Sequence, residues 1–265
     1  MMRGASADAY AAVETELADR GGDAARVGEE LFGIAALLRG EPALRRVATD
    51  VSVPAEAKSD LLRQVLEGKV DPTALAVAEK AVSQRWTSGR DLPDALEQLG
   101  VVSVVRSAGD DAPRLEDELF AYGRLVQENP ELRDALSDPA RSQEDKRGLV
   151  RDLLGDRALP ATVTLAEQSL SGSHRTVGVA LAEYQKVAAD VRGERVATVR
   201  VARPLSDGDR QRLADALARQ YDRRVHLNVV VDPEVIGGIR VEIGDDVIDG
   251  TVASRLETAA RKLAG

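Results

Sequence analysis

The sequence contains no cysteine. Disulfides, thiolate nucleophiles and cysteine-ligated zinc are therefore excluded, and the composition is in keeping with a cytoplasmic compartment. Aromatic residues are scarce, at 3% of 265 positions with a single Trp. Core volume must come from Ala, Leu and Val, which suits close-packed helices better than a deep aromatic ligand pocket. Positive charge is in deficit, with a formal net charge of -9 and an isoelectric point of about 5.0. Phosphate backbones are neutralised by clustered Lys and Arg, so nucleic acid is not an expected partner. The same deficit argues against a polybasic membrane patch. No stretch approaches the roughly 20 apolar residues of a membrane span. The opening MMRGASADAY lacks the apolar core of a signal peptide. Direct membrane insertion is not expected, and any membrane association runs through partners.

What is present is a duplication. Shifted by 88 residues, GGDAARVGEELFGIAALLRGEPALR (Gly21 to Arg45) lies over GDDAPRLEDELFAYGRLVQENPELR (Gly109 to Arg133). The match continues through Glu56 and Lys58 over Glu144 and Lys146, Leu61 and Leu66 over Leu149 and Leu154, and Pro72 over Pro160. It ends near Leu181, so two related domains are expected rather than a solenoid. Both copies read as helical. Val27, Leu31, Ile34 and Leu38 mark one helix face. Ser142 with Asp145 reads as a capping box, and Asp71–Pro72 as a cap followed by a first-turn proline. Leu92, Leu96 and Leu99 start a helix that runs on through Val101–Val105, where the second copy begins, so the two bundles share one helix. Leu31 and Leu119, Leu61 and Leu149, and Leu66 and Leu154 are expected at equivalent buried positions.

After Val191 the pattern changes. Ala197, Val199 and Val201 alternate, as do Val225, Leu227, Val229 and Val231, and then Ile239, Val241 and Ile243; these are half-buried strands. Ser206 with Asp209 caps an intervening helix carrying Leu213, Leu217 and Tyr221. A last stripe, Val252, Leu256, Ala259 and Leu263, reads as a terminal helix. The fold expected is mostly α: two tandem helical bundles followed by a small α+β unit of about three strands and two helices. The expected domains are 1–98, 99–191 and 192–265. Charge divides unevenly between them, at -10 for the first 190 residues and +1 for the remainder.

The most specific segment is DPEVIGGIRVEIGDDVIDGTVASRL, from Asp232 to Leu256. Asp232–Pro233 breaks the preceding strand. Gly237–Gly238 gives a kink where a side chain would clash. Gly244, Asp245 and Asp246 make a tight turn. Asp249 or Thr251, flanking Gly250, is placed to cap the terminal helix.

This segment resembles the C-terminal signature of the delta subunits of F-type ATP synthases, the counterparts of mitochondrial oligomycin-sensitivity-conferring protein. That family shows a DP, a Gly pair, a GD turn and an IDG run in this order. ENPELRDALSDPARSQEDKRGLV, from Glu128 to Val150, resembles the family's N-terminal bundle, and the likeness extends from Leu115 to Leu263. The residues before it form an additional bundle, a feature similar to actinobacterial members. The resemblance implies a non-catalytic stator subunit of the peripheral stalk. Its partners would be the N-terminal helix of an alpha subunit and the b subunits, at the cytoplasmic face of the bacterial plasma membrane. The second bundle, which keeps the turn SDPARS (Ser137 to Ser142), is expected to carry the primary alpha-subunit site. A free-standing helical adaptor is the alternative.

Other features point to no chemistry. Asp245, Asp246 and Asp249 spell DDxxD, a magnesium–diphosphate motif in some prenyl-processing enzymes, but here it falls in a turn of a chain with few aromatics. Gly237–Gly238 lacks the lysine of a phosphate loop. His174 and His226 lack a ligand set with metal spacing, and Trp86 reads as core or rim. No catalytic, cofactor or metal site is expected.

Overall fold

The computed structural model describes residues 2–233, 235 and 237–251. Among them are twelve α-helices and four strands, divided between two compact units, residues 1–188 and 189–265.

The 88-residue shift reappears as architecture in the first unit. After α1 (Ala5–Ala18), the helices α2 (Ala24–Gly40), α3 (Pro42–Thr49) and α4 (Ala55–Leu66) recur at this offset. Their counterparts are α7 (Ala112–Glu128), α8 (Pro130–Ser137) and α9 (Gln143–Leu154). Then α5 (Pro72–Ser83) and α10 (Pro160–Gln168) begin at equivalent prolines. In both positions the ring sits in the first turn, where no N–H is needed. The unit closes with α6 (Asp91–Ser107) and α11 (Val177–Val191).

The copies also share side-chain contacts. Arg63 pairs with Glu79 at 2.9 Å, and Arg151 with Glu167 at 2.7 Å. Arg26 pairs with Glu30 at 2.9 Å, and Arg114 with Glu118 at 2.7 Å. Glu30 accepts the Asp71 N–H, and Glu118 accepts the Leu159 N–H at 2.8 Å. Each glutamate thereby holds the N-cap of the fifth helix of its copy to the second. Leu31 and Leu119 are fully buried and Leu66 is buried, as expected. Leu61, Leu149 and Leu154, in contrast, are only half-buried. The core stripe of the fourth helix is turned by one residue: Lys58, Leu62 and Leu66 line it in one copy, Lys146 and Val150 in the other. These positions are spaced by four, so they share one face.

The helix α6 belongs to both copies. From Leu92 through Val105 it is buried at every position but Asp94 and Gln98, close to the pattern of a helix enclosed by protein. Its pairing with α2 is the most extensive between helices, and two glycines make it close. A Cβ on Gly28 would stand 2.5 Å from Val104 Cγ2 and 2.8 Å from the Gly100 carbonyl oxygen. One on Gly100 would stand 2.6 Å from the Phe32 ring.

The second unit is a mixed sheet. Strands β1 (Glu194–Val201), β2 (Arg224–Val231), β3 (Ile239–Ile243) and β4 (Asp246–Asp249) lie in the order β2-β1-β3-β4. The β1–β2 pair is parallel, joined through α12 (Asp207–Tyr221); β1–β3 and β3–β4 are antiparallel. Ala197, Val199, Val201, Val225, Leu227, Val241 and Ile243 form the inner face, closed by Leu217 of α12. The Ser206 hydroxyl accepts the Asp209 N–H at 3.2 Å and caps α12. The three expected strands are present, and β4 is a fourth. The expected terminal helix lies outside the described residues.

Candidate functional site

Two constructions organise the regions that the sequence singles out. The first is the glycine-rich segment. Gly237 and Gly238 have φ of 76° and 86°, conformations that glycine adopts without steric cost. A Cβ on Gly238 would lie 2.5 Å from the Gly250 carbonyl oxygen and 2.8 Å from Thr251 Cα. The Gly250 N–H in turn donates to the Ile239 carbonyl at 2.9 Å. The glycine pair and the IDG run are thus two sides of one backbone crossing. Asp232 anchors the entry, its N–H donating to the Val201 carbonyl at 2.8 Å, and Pro233 follows.

The β3–β4 hairpin has a two-residue loop, Gly244–Asp245, with Gly244 at φ 58°, the glycine-first pattern favoured in tight hairpins. Asp245 is exposed at its tip. Asp246 and Asp249 are three apart on β4 and project to opposite sheet faces. Asp249 accepts from the Thr251 hydroxyl at 2.7 Å and its N–H at 3.0 Å, and these bonds, with Arg240 nearby, hold its carboxyl below the usual range. The DDxxD carboxylates therefore diverge, which is poor geometry for a shared cation.

The second construction is a polar hub in the helical unit that sequence reasoning missed. Glu97 of α6 is 2% exposed. The Arg39 guanidinium of α2 binds its carboxylate, and also Asp94 at 2.8 Å and the Pro93 carbonyl at 3.3 Å. From the second copy, Glu97 accepts the Ser173 N–H at 2.9 Å and the Tyr184 hydroxyl at 3.1 Å. Burial pushes the Glu97 carboxyl up, but Arg39 and the Ser173 and Tyr184 donors outweigh it and hold it below the usual range. The Tyr184 hydroxyl is raised, mainly by burial and then by Glu97. One carboxylate thus ties α2, α6, α11 and the loop before α11 together. Arg39, Ser173 and Tyr184 lie 58, 76 and 87 residues from Glu97, so no local motif announces it.

Trp86 is buried, and its indole N–H donates to the Ala81 carbonyl at 2.8 Å. His174 meets the Tyr184 ring edge-on at 5.8 Å. His226 sits on β2 on the face opposite Val225 and Leu227. Around the SDPARS turn, Glu131, Asp134, Ser137, Asp138 and Arg141 line a shallow open depression. Among the described residues no helix is long and apolar enough to cross a membrane.

A family model described as ATP synthase delta (OSCP) subunit matches residues 7–87 and 102–263. The gap between the stretches falls inside or just before α6, so each bundle copy carries family-like sequence. The chain is 60% identical over 242 residues to the ATP synthase subunit delta of a Nocardioides species, covering 91% of this chain and 88% of that one. It is 43% identical to the subunit delta of Kineococcus radiotolerans, covering 98% and 95%. It is 42% identical to that of Streptomyces coelicolor, covering 99% and 98%. The additional N-terminal copy is therefore included in these alignments.

Proposed function

This chain belongs to the ATP synthase delta (OSCP) subunit family, and from that premise we propose how its parts divide the work of the peripheral stalk. It is a non-catalytic stalk subunit of an F-type ATP synthase. In our reading the helical copies, 1–98 and 99–191, face the catalytic head and receive the N-terminal helix of an alpha subunit as a helix laid in a groove. The C-terminal part, 192–265, with Asp232, Pro233, Gly237, Gly238, Gly244, Asp245, Asp249 and Gly250 shaping its backbone, meets the b subunits. The complex then places the chain at the cytoplasmic face of the plasma membrane, held by partners rather than by a span of its own.

The single observation that carries this reading is the near-full-length alignment with delta subunits. It leaves nothing in favour of a free-standing adaptor. The geometry is suited to the task. A stator resists rotor torque, which calls for stiffness and slow release instead of a reactive group. A helix common to two copies and a buried ionic hub supply the stiffness. Several simultaneous contacts slow release through effective concentration.

Affinity purification of the tagged chain from its native cells tests the reading. Alpha and b subunits should co-purify with it. Alpha without b, or b without alpha, would refute half of the assignment, and recovery with unrelated proteins would refute all of it.

A further inference from the structure

We propose that the free chain carries both halves of a self-association contact: an apolar, basic stripe on α3 of one molecule seats in the acidic depression beside α8 of a second copy. The contact forms outside the synthase and does not rest on the stalk reading.

Each corner has its own control within the chain, because α3 and α8 are equivalent helices of 8 residues each. Ala43 and Val47 lie four apart on one side of α3, and Val51 stands four residues further on, in the turn that follows. All three are exposed, Val47 by 39% and Val51 by 72%, and the exposed Arg46 flanks them. The counterparts of Ala43, Arg46, Val47 and Val51 are Glu131, Asp134, Ala135 and Pro139. The second copy forms the same helix without the valines, so folding does not require them on α3. By the same comparison, folding does not require Glu131 or Asp134 on α8. Neither surface is explained by the packing of its own copy.

The two corners complement each other. The depression is lined by Glu131, Asp134, Ala135, Ser137, Asp138 and Arg141, three carboxylates against one guanidinium. Arg141 approaches Asp138 at 4.0 Å, which leaves Glu131 and Asp134 without a cation among the described residues. On the stripe, Asp50 is turned to its own loop, accepting the Ser52 hydroxyl at 2.7 Å and N–H at 2.8 Å. Arg46 is then the charge that the stripe presents. Seated together, Val47 and Val51 cover Ala135, and Arg46 meets Glu131 and Asp134. A second copy is the occupant because one chain presents both surfaces. A patch of this size falls short of the roughly 1,200 Å² of a stable interface, so the contact is weak, with Kd on the order of 100 µM. It is also heterologous, leaving one stripe and one depression open on each pair.

Sedimentation equilibrium of the full chain from roughly 5 to 500 µM reads the contact. The weight-average mass should rise with concentration. Val51→Asp removes the stripe and Asp134→Arg the depression; both positions are exposed, and circular dichroism checks each fold. Each variant alone should stay monomeric, with self-affinity weakened by about tenfold or more. An equimolar mixture of the two should regain association and stop at the dimer, because one variant keeps the depression and the other the stripe. A wild-type chain that is monomeric throughout, a single variant that associates like the wild type, or a mixture that stays monomeric while the wild type associates would overturn the proposal.

Discussion

Arg39→Ala should destabilise the helical unit more than any other single loss of charge in it. The substitution removes the cation facing Glu97 and leaves a carboxylate with 3% side-chain exposure. The Ser173 N–H and Tyr184 hydroxyl remain as its donors. Breaking a buried pair by removing one partner costs about 3–5 kcal/mol. Arg39 keeps 24% of its side chain exposed, so water partly replaces it, and we expect about 2–4 kcal/mol. With m at about 2 kcal/mol per M, a 3 kcal/mol loss lowers the urea midpoint by about 1.5 M. Glu97→Gln keeps the shape and one acceptor, and should cost less, about 1–2 kcal/mol. The double variant should cost less than the sum of the two, since each single change already breaks the same pair. Acid supplies a second readout. The folded-state carboxyl of Glu97 is held below its ordinary value, so its contribution is present above the unfolded carboxylate range and is lost as pH falls through the folded value. Wild-type stability should therefore fall more steeply than that of Glu97→Gln on acidification. Costs below about 0.5 kcal/mol for both variants, or identical acid profiles, would refute the hub.

Three further outcomes follow from the geometry. Gly100→Leu should cost about 3 kcal/mol or more by denaturation, because its side chain would enter the Phe32 ring. Glu30→Ala and Glu118→Ala should each cost about 1–2 kcal/mol and by similar amounts, since both remove the acceptor that holds the fifth helix's start. Gly238→Val should lower C-terminal stability by about 1–3 kcal/mol, from its positive φ and the Gly250 carbonyl, while Asp245→Asn at the exposed hairpin tip should be close to neutral.

Legibility in the sequence followed the range of the interactions. Caps and first-turn prolines act within four residues, and Asp71, Ser142 and Ser206 were each readable as the N-caps they are. Helix boundaries were readable because a duplicated chain reports each boundary twice. The strand β4 was not, since Asp246–Asp249 places one acid at either end of two apolar residues and shows no alternation. The rotation of the fourth-helix stripe from Leu61 to Leu62 was hidden because both neighbours are leucine. The hub was invisible for a different reason: Arg39, Glu97 and Tyr184 are ordinary surface types that only tertiary packing brings together.

The enclosure of α6 has a consequence for the history of the chain. A tandem duplication whose halves are joined by a linker is reversible, because either half can be deleted and the other still folds. Here deletion of the first copy would strip α2 from α6 and uncover Gly100 and Val104. Deletion of the second would uncover its other side. Once the joining helix had become buried along most of its length, neither ancestor remained accessible by a single loss, and the duplication became a ratchet.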